Sequence, residues 1–250
     1  MHDKELNEKK LYCIKNDLFW FSKPELLNDP YDCRPFFNSS LSITDIEHIL
    51  DILEKDELEF VLERFPWCNN KFDLIKLYGK IISSNGADTA KNFANIMLQN
   101  LLWSIVKSKI ANVGVLSLTG VYTNCLMWSH YAKNNQGVCL EIEIPEDTHS
   151  LEQVTYVKEQ PVLAIYELMH EKYKKFHEIF YTKSMHWKYE DEWRMVSLLG
   201  NKEKEIPETK IKKIIFGINT SDQTKKKISD TVGKDIVTHQ IKMKRNYKLE

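Results

Sequence analysis

Between Ile110 and Val113 the period of the apolar residues changes, and that change divides the chain into two kinds of structure. From Ser42 to about Ile110 the apolar residues recur every three or four positions. Ile46, Ile49, Leu50 and Leu53 form one stripe, Leu58, Val61, Leu62 and Phe65 a second, and Phe93, Ile96, Met97 with the Leu101–Ile105 group a third. Spacing of this kind lines one face of an α-helix, and Pro66 and Gly86 punctuate the run. The block predicts about three helices and holds no catalytic constellation, so it reads as an insert or cap.

On either side of it the texture is that of strands. Leu18–Phe21 is a short aromatic strand stopped by Lys23-Pro24, and Asn28-Asp29-Pro30-Tyr31-Asp32 is an ordered turn, because Asn and Asp bond their own backbone and Pro30 fixes its φ. Downstream, Val113–Leu118, Gly137–Ile144, Val154–Val157, Glu190–Leu199, Ile211–Phe216 and Ile236–Met243 are strand-like. Thr123 is positioned to cap a helix running to about Asn134, and Pro161 to open a long one to about Lys183. The expected fold class is α+β, a mixed, largely antiparallel sheet with surrounding helices. We read residues 1–250 as a single domain carrying a helical insert at approximately 42–110.

Charge and cysteine usage narrow the setting. Lys and Arg number 35 against 36 Asp and Glu, a formal charge of -1 that gives no bulk footprint for nucleic acid. Lys225–Lys227, and Lys242, Lys244 and Arg245, are the compact basic groups, and each reads as a solvated face. Five cysteines without a C-x-x-C pair, and no apolar segment at the N-terminus, point to reduced thiols in the cytoplasm. No apolar run approaches the ~20 residues of a membrane span.

Two stretches concentrate side chains with chemistry. On a helix, Met127, His130, Tyr131 and Asn134 share a face, and His130 is a candidate general base or ligand contact, against the plainer reading of a core histidine. If Trp187–Leu199 is extended, Trp187 and Trp193 lie on one face as core anchors while Glu190, Glu192 and Arg194 lie on the other. Two carboxylates beside a cation suit acid–base work, and equally a structural Glu192–Arg194 ion pair. Cys125, His130 and Cys139 match no zinc spacing, so no metal ligands are assigned. Nucleotide-binding glycine motifs and a serine-hydrolase elbow are absent as well.

Three segments in this order resemble a bacterial family catalogued as domain of unknown function 2971. They are Phe21-Ser22-Lys23-Pro24 with Asn28–Asp32, Met127-Trp128-Ser129-His130-Tyr131 with Gly137-Val138-Cys139, and Trp187-Lys188-Tyr189-Glu190-Asp191-Glu192-Trp193-Arg194. Ile214-Ile215-Phe216-Gly217 resembles the family's closing strand. Asn135-Gln136 stands where a His-Lys pair is often found. The resemblance identifies a fold relative and carries no activity.

Three functions fit these residues. Glu190-Asp191-Glu192 is similar to the strand glutamates of ADP-ribosyltransferases, which implies an NAD-using transferase with NAD as co-substrate. In it Glu192 is the catalytic carboxylate, Glu190 its acceptor-side partner and His130 the base, with Ser22, Tyr31, Tyr131 and Arg194 as cofactor contacts. A metal-dependent nuclease is the second, although Arg194 is a poor base where a lysine is wanted. A non-enzymatic module binding a small planar molecule between aromatics is the third.

Overall fold

A computed structural model describes residues 8–34, 36–38, 41–83, 89–146, 148, 151–164, 174–232, 236–245 and 248–250. In chain order the first elements are α1 (Glu8–Lys15), β1 (Leu18–Phe21), β2 (Phe36–Asn38), α2 (Ile43–Ile52), α3 (Lys55–Leu62), α4 (Lys71–Ser83) and α5 (Thr89–Ala111). Next come β3 (Gly114–Thr119), α6 (Cys125–Tyr131), β4 (Val138–Glu143), β5 (Leu151–Gln153), β6 (Thr155–Val157), β7 (Val162–Ala164), α7 (Lys174–Phe180) and β8 (Thr182–Ser184). The remainder is β9 (Glu192–Ser197), β10 (Lys202–Glu205), β11 (Lys210–Phe216), α8 (Asp222–Thr231), β12 (Val237–Gln240), β13 (Met243–Lys244) and β14 (Lys248–Leu249). The fold is α+β, with several short, mostly antiparallel sheets.

Two units emerge from the chain, one drawn from Met1–Lys23, Gly114–Tyr156 and Met185–Glu250, the other from Pro24–Val113 and Val157–Ser184. The second holds the helical block. There the first two expected stripes point inward, with Ile46, Ile49, Leu50, Val61 and Phe65 buried, while in the third Leu101, Leu102 and Ile105 are buried and Ile96 is 58% exposed; Leu74 and Tyr78 of α4, outside those stripes, are buried as well. Ser42 starts α2 with a reciprocal box, its hydroxyl accepting from Asp45 N while the Asp45 carboxylate accepts from Ser42 N at 2.7 Å. Tyr78 donates to Leu41 O at 2.7 Å, which satisfies the one polar atom that this aromatic takes into the core. The Asn28–Asp32 turn is ordered as expected, with Tyr31 N donating to Asp29 Oδ1 at 2.9 Å and Asp29 and Asp32 buried. Lys183 stands 3.6 Å from Asp32, both side chains shielded from water.

The long helix expected from Pro161 to Lys183 does not form as one element. Residues 162–164 are instead the strand β7, paired in parallel with β2, and Thr182–Ser184 are again extended. Residues 165–173 of that expectation lie outside the described ones. A run with β-branched Val162 at its head becomes a strand when a partner exists, and that partner is more than a hundred residues away.

The first unit is built on two three-stranded sheets, β3-β9-β5, antiparallel throughout, and β12-β11-β4, where β11 pairs antiparallel with β4 and parallel with β12. Strand β1 pairs with β10 and is tied to β3 through Ser22 and Val115, which exchange both backbone bonds at 2.9 and 2.8 Å. Period-2 alternation holds in β1: Phe19 and Phe21 are buried and Trp20 faces out. These aromatics join Leu116, Met195, Ile211, Ile214, Phe216 and Ile228 in the main core. A smaller core sets Trp128 of α6 and Ala132 just after it against Ile215 and Ile241.

Candidate functional site

Helix α6 begins one residue later than expected, because Asn124 and not Thr123 caps it, the Asn124 side chain accepting from Leu126 N at 2.9 Å. It ends at Tyr131. Lys133, Asn134 and Asn135 then take left-handed φ of 45°, 55° and 66°, so Asn134 leaves the helix and does not share the face of Met127, His130 and Tyr131. Gly217 is needed beside that turn, since a Cβ there would meet Asn135 O at 2.3 Å.

Opposite α6, the chain departs further from expectation. Residues Met185–Glu190 form a 3-10 turn, Asp191 follows with φ 45°, and the strand β9 starts only at Glu192. Alternation therefore cannot extend through Trp187–Glu190, and Trp187 and Trp193 are half-buried where core anchors were expected. Three long-range donors hold this turn, each on a successive carbonyl. Asn124 Nδ2 donates to Tyr189 O at 2.8 Å, Thr119 Oγ1 to Glu190 O at 2.6 Å, and Gly120 N to Asp191 O at 3.1 Å. Gln153 Nε2 adds a bond of 3.0 Å to Asp191 Oδ1.

That clamp brings rings and a carboxylate together. His130 is exposed, not a core residue, and its ring lies 6.0 Å from Trp187, 6.3 Å from Tyr189 and 6.4 Å from Tyr131, centroid to centroid. Trp187 and Tyr189 are themselves 6.0 Å apart. Separations and tilts of this order are those of interacting aromatics. Tyr131 Oη donates to Glu190 Oε1 at 2.5 Å, so Tyr131 is a hydrogen-bonding group as well as a packing one, and Glu190 is 2% exposed.

Glu192 sits differently. Arg194 Nε donates to its Oε1 at 2.7 Å and Nη2 to its Oε2 at 3.0 Å, a fork-on-fork pair with both side chains buried. Glu192 N donates to Tyr156 Oη at 2.9 Å. Of the remaining sequence candidates, Ser22 is half-buried in the β1–β3 bridge, while Tyr31 belongs to the other unit and is 66% exposed. The structure thus assembles His130, Tyr131 and Glu190, joins Glu192 to Arg194, and adds Trp187, Tyr189, Thr119, Gly120 and Asn124. The only sequence signal for the last three was the polar run of Thr119-Gly120 and Thr123-Asn124 at the end of a strand.

Among the described residues, no group of three or more His, Cys, Asp or Glu side chains is placed to hold a metal ion. Cys125 is exposed on α6. Cys139 is tucked beside Ile215, and burial, helped by Glu141, pushes its thiol up to about 11. The native state thus favours the neutral thiol. Its contribution to stability is complete below the ordinary cysteine range and is lost as pH rises through about 11. A maleimide applied to the native protein at pH 8 is expected to label Cys125 about tenfold faster than Cys139, read by peptide mass mapping. Equal rates would show that the β4 thiol is not shielded.

Residues 127–195 match a family model described as Protein of unknown function (DUF2971). The matched DUF2971 segment opens on α6 and closes on β9, so it contains His130, Tyr131, Trp187, Tyr189, Glu190, Glu192 and Arg194. Neither a curated protein nor a solved structure matches the chain. No helix among the described residues is long and apolar enough to cross a membrane.

Proposed function

We propose that the DUF2971 segment builds a binding site for a small planar molecule, stacked on the rings of His130, Trp187 and Tyr189 and hydrogen-bonded at the Glu190–Tyr131 pair. The observation that carries it is the exposed His130 ring beside two half-buried aromatics, with a buried carboxylate anchored at their edge. Aromatic walls with a few fixed polar groups are what a small-molecule site requires. The 3-10 turn, clamped at three carbonyls, supplies rigidity before any ligand arrives, which lowers the ordering cost of binding.

One chemistry is favoured within this reading. A transferase acting on NAD needs a fixed carboxylate where positive charge develops as nicotinamide leaves. Glu192 is tied to Arg194 by two bonds, whereas Glu190, as deeply buried and bonded to Tyr131, lies beside the ring group, so the proposal moves the catalytic role from Glu192 to Glu190 on position alone. The nuclease alternative gains nothing from the arrangement of donors.

Binding is tested by titrating the full chain with NAD, nicotinamide and adenine nucleotides while following tryptophan fluorescence and calorimetric heat. Trp187→Ala and Glu190→Gln are each expected to weaken binding by about tenfold or more, in line with loss of 1.4 kcal/mol or more. Binding that survives both substitutions unchanged places the ligand elsewhere. Release of nicotinamide by the wild type and its loss in Glu190→Gln separates the transferase from a module that only binds.

A further inference from the structure

We propose that the ligand of the ring group carries a positive charge in its plane, as an aromatic heterocycle alkylated on nitrogen does, and that Glu190 selects it over neutral and anionic rings of the same shape. The inference rests on the reading of His130, Trp187 and Tyr189 as a site for a planar molecule, and adds the charge of what enters it. The faces of indole and phenol rings are the negative ends of their quadrupoles and attract cations. Tyr131, Trp187 and Tyr189 gather around His130 with centroids 6.4, 6.0 and 6.3 Å from its own. His130 is set at 67° to Tyr131, 65° to Trp187 and 31° to Tyr189, so a ligand lying against one ring meets another from the side.

The charge at the edge of the rings has the matching sign. Glu190 is 2% exposed and accepts from Tyr131 Oη. A carboxylate shielded from water acts on a nearby charge far more strongly than one in solvent, so Glu190 favours a cation even without touching it. Asp191 and Glu192 follow it in the chain, and Arg194 is committed to Glu192 through two bonds. Lys188 is the one lysine or arginine of the Met185–Glu190 turn, and it is exposed, where water and salt screen it.

An anion finds few donors here. Those around the turn are spent on the protein itself, Asn124 Nδ2 on Tyr189 O, Thr119 Oγ1 on Glu190 O and Gly120 N on Asp191 O. Tyr131, having given its proton to Glu190, offers a ligand the accepting side of its oxygen. The group therefore presents ring faces, an accepting phenol oxygen and a buried negative charge, and each of these is complementary to a planar cation.

The test holds shape nearly constant and changes charge. Nicotinamide methylated on its ring nitrogen, meta-toluamide and meta-carbamoylbenzoate are planar amides of similar outline, cationic, neutral and anionic in turn. Each is titrated into the full chain at low salt, with dissociation constants read by ligand NMR. The cation is expected to bind at least about tenfold more tightly than the toluamide, and the benzoate more weakly than either. In Glu190→Gln the cation's advantage should fall to about threefold or less, the part left to the rings, whatever happens to the affinity for the toluamide. Trp187→Leu, at a half-buried position, should cost the cation more than the toluamide, and thermal melting of both variants checks the fold. Tetramethylammonium, which has the charge without the plane, should bind more weakly than the planar cation. Equal affinities for the cation and the toluamide, tighter binding of the benzoate, or an advantage that survives Glu190→Gln overturns the charge assignment and leaves the planar-ligand reading standing. Binding of none of the three amides overturns both.

Discussion

Arg194→Met is expected to lower stability by about 3–5 kcal/mol, because it strands the buried Glu192 carboxylate without its guanidinium. Both partners are shielded from water, and both oxygens of Glu192 are taken by Arg194. Glu192→Gln should also destabilise, since a buried guanidinium then faces a neutral amide. The informative variant is Glu192→Leu/Arg194→Met. Replacing a buried ion pair by apolar groups of similar size is often neutral or stabilising, so the double variant should recover most of what either single one loses. Denaturant unfolding of the wild type, the two single variants and the double variant measures the coupling. If Glu192→Gln instead melts like the wild type and loses all ligand binding or NAD turnover, Glu192 works on a ligand and is not the structural partner of Arg194.

What could be read beforehand follows from how local each determinant is. The stripes Ile46/Ile49/Leu50 and Val61/Phe65 are short-range patterns, and they became α2 and the α3 region as spaced. The aromatic run at 18–21 and the apolar run ending at Phe216 likewise became β1 and β11. Trp187–Glu190 alternates in a way compatible with a strand, yet its backbone is set by donors from Thr119, Gly120 and Asn124, some seventy residues earlier in the chain. A contact at that range leaves no periodic trace. For the same reason strand β7 was hidden inside an expected helix, its pairing with β2 being wholly non-local.

The candidate site shows a similar division. Residue types that carry chemistry were visible as His130, Tyr131, Glu190, Glu192 and Arg194, while their grouping was not. One residue of offset at Asp191, forced into the left-handed region, places Glu190 at the end of the 3-10 turn and Glu192 at the start of β9. The two carboxylates then part company: Glu190 bonds Tyr131 and Glu192 bonds Arg194. A strand reading treats them as equivalent neighbours on one face, and only the φ of the residue between them separates their roles.

Trp128→Ala is expected to cost about 3–5 kcal/mol and to abolish ligand binding together with stability, because this one side chain seats the helix that carries His130 and Tyr131. Trp128 is 3% exposed, packs with Ala132, Ile215 and Ile241, and donates from its indole nitrogen to Tyr122 O at 2.6 Å. Truncation leaves a cavity in the smaller core and an unpaired carbonyl just ahead of α6. Trp128→Phe fills most of the space and loses the hydrogen bond, so it should cost less in stability while still loosening the helix start. Trp193→Ala, at a half-buried position, should cost clearly less than Trp128→Ala. Thermal unfolding followed by ligand titration below the melting transition distinguishes the cases. Were Trp193→Ala to prove the more damaging of the two, the smaller core would not be what holds α6, and the ring group around His130 would have to be positioned from the β9 side alone.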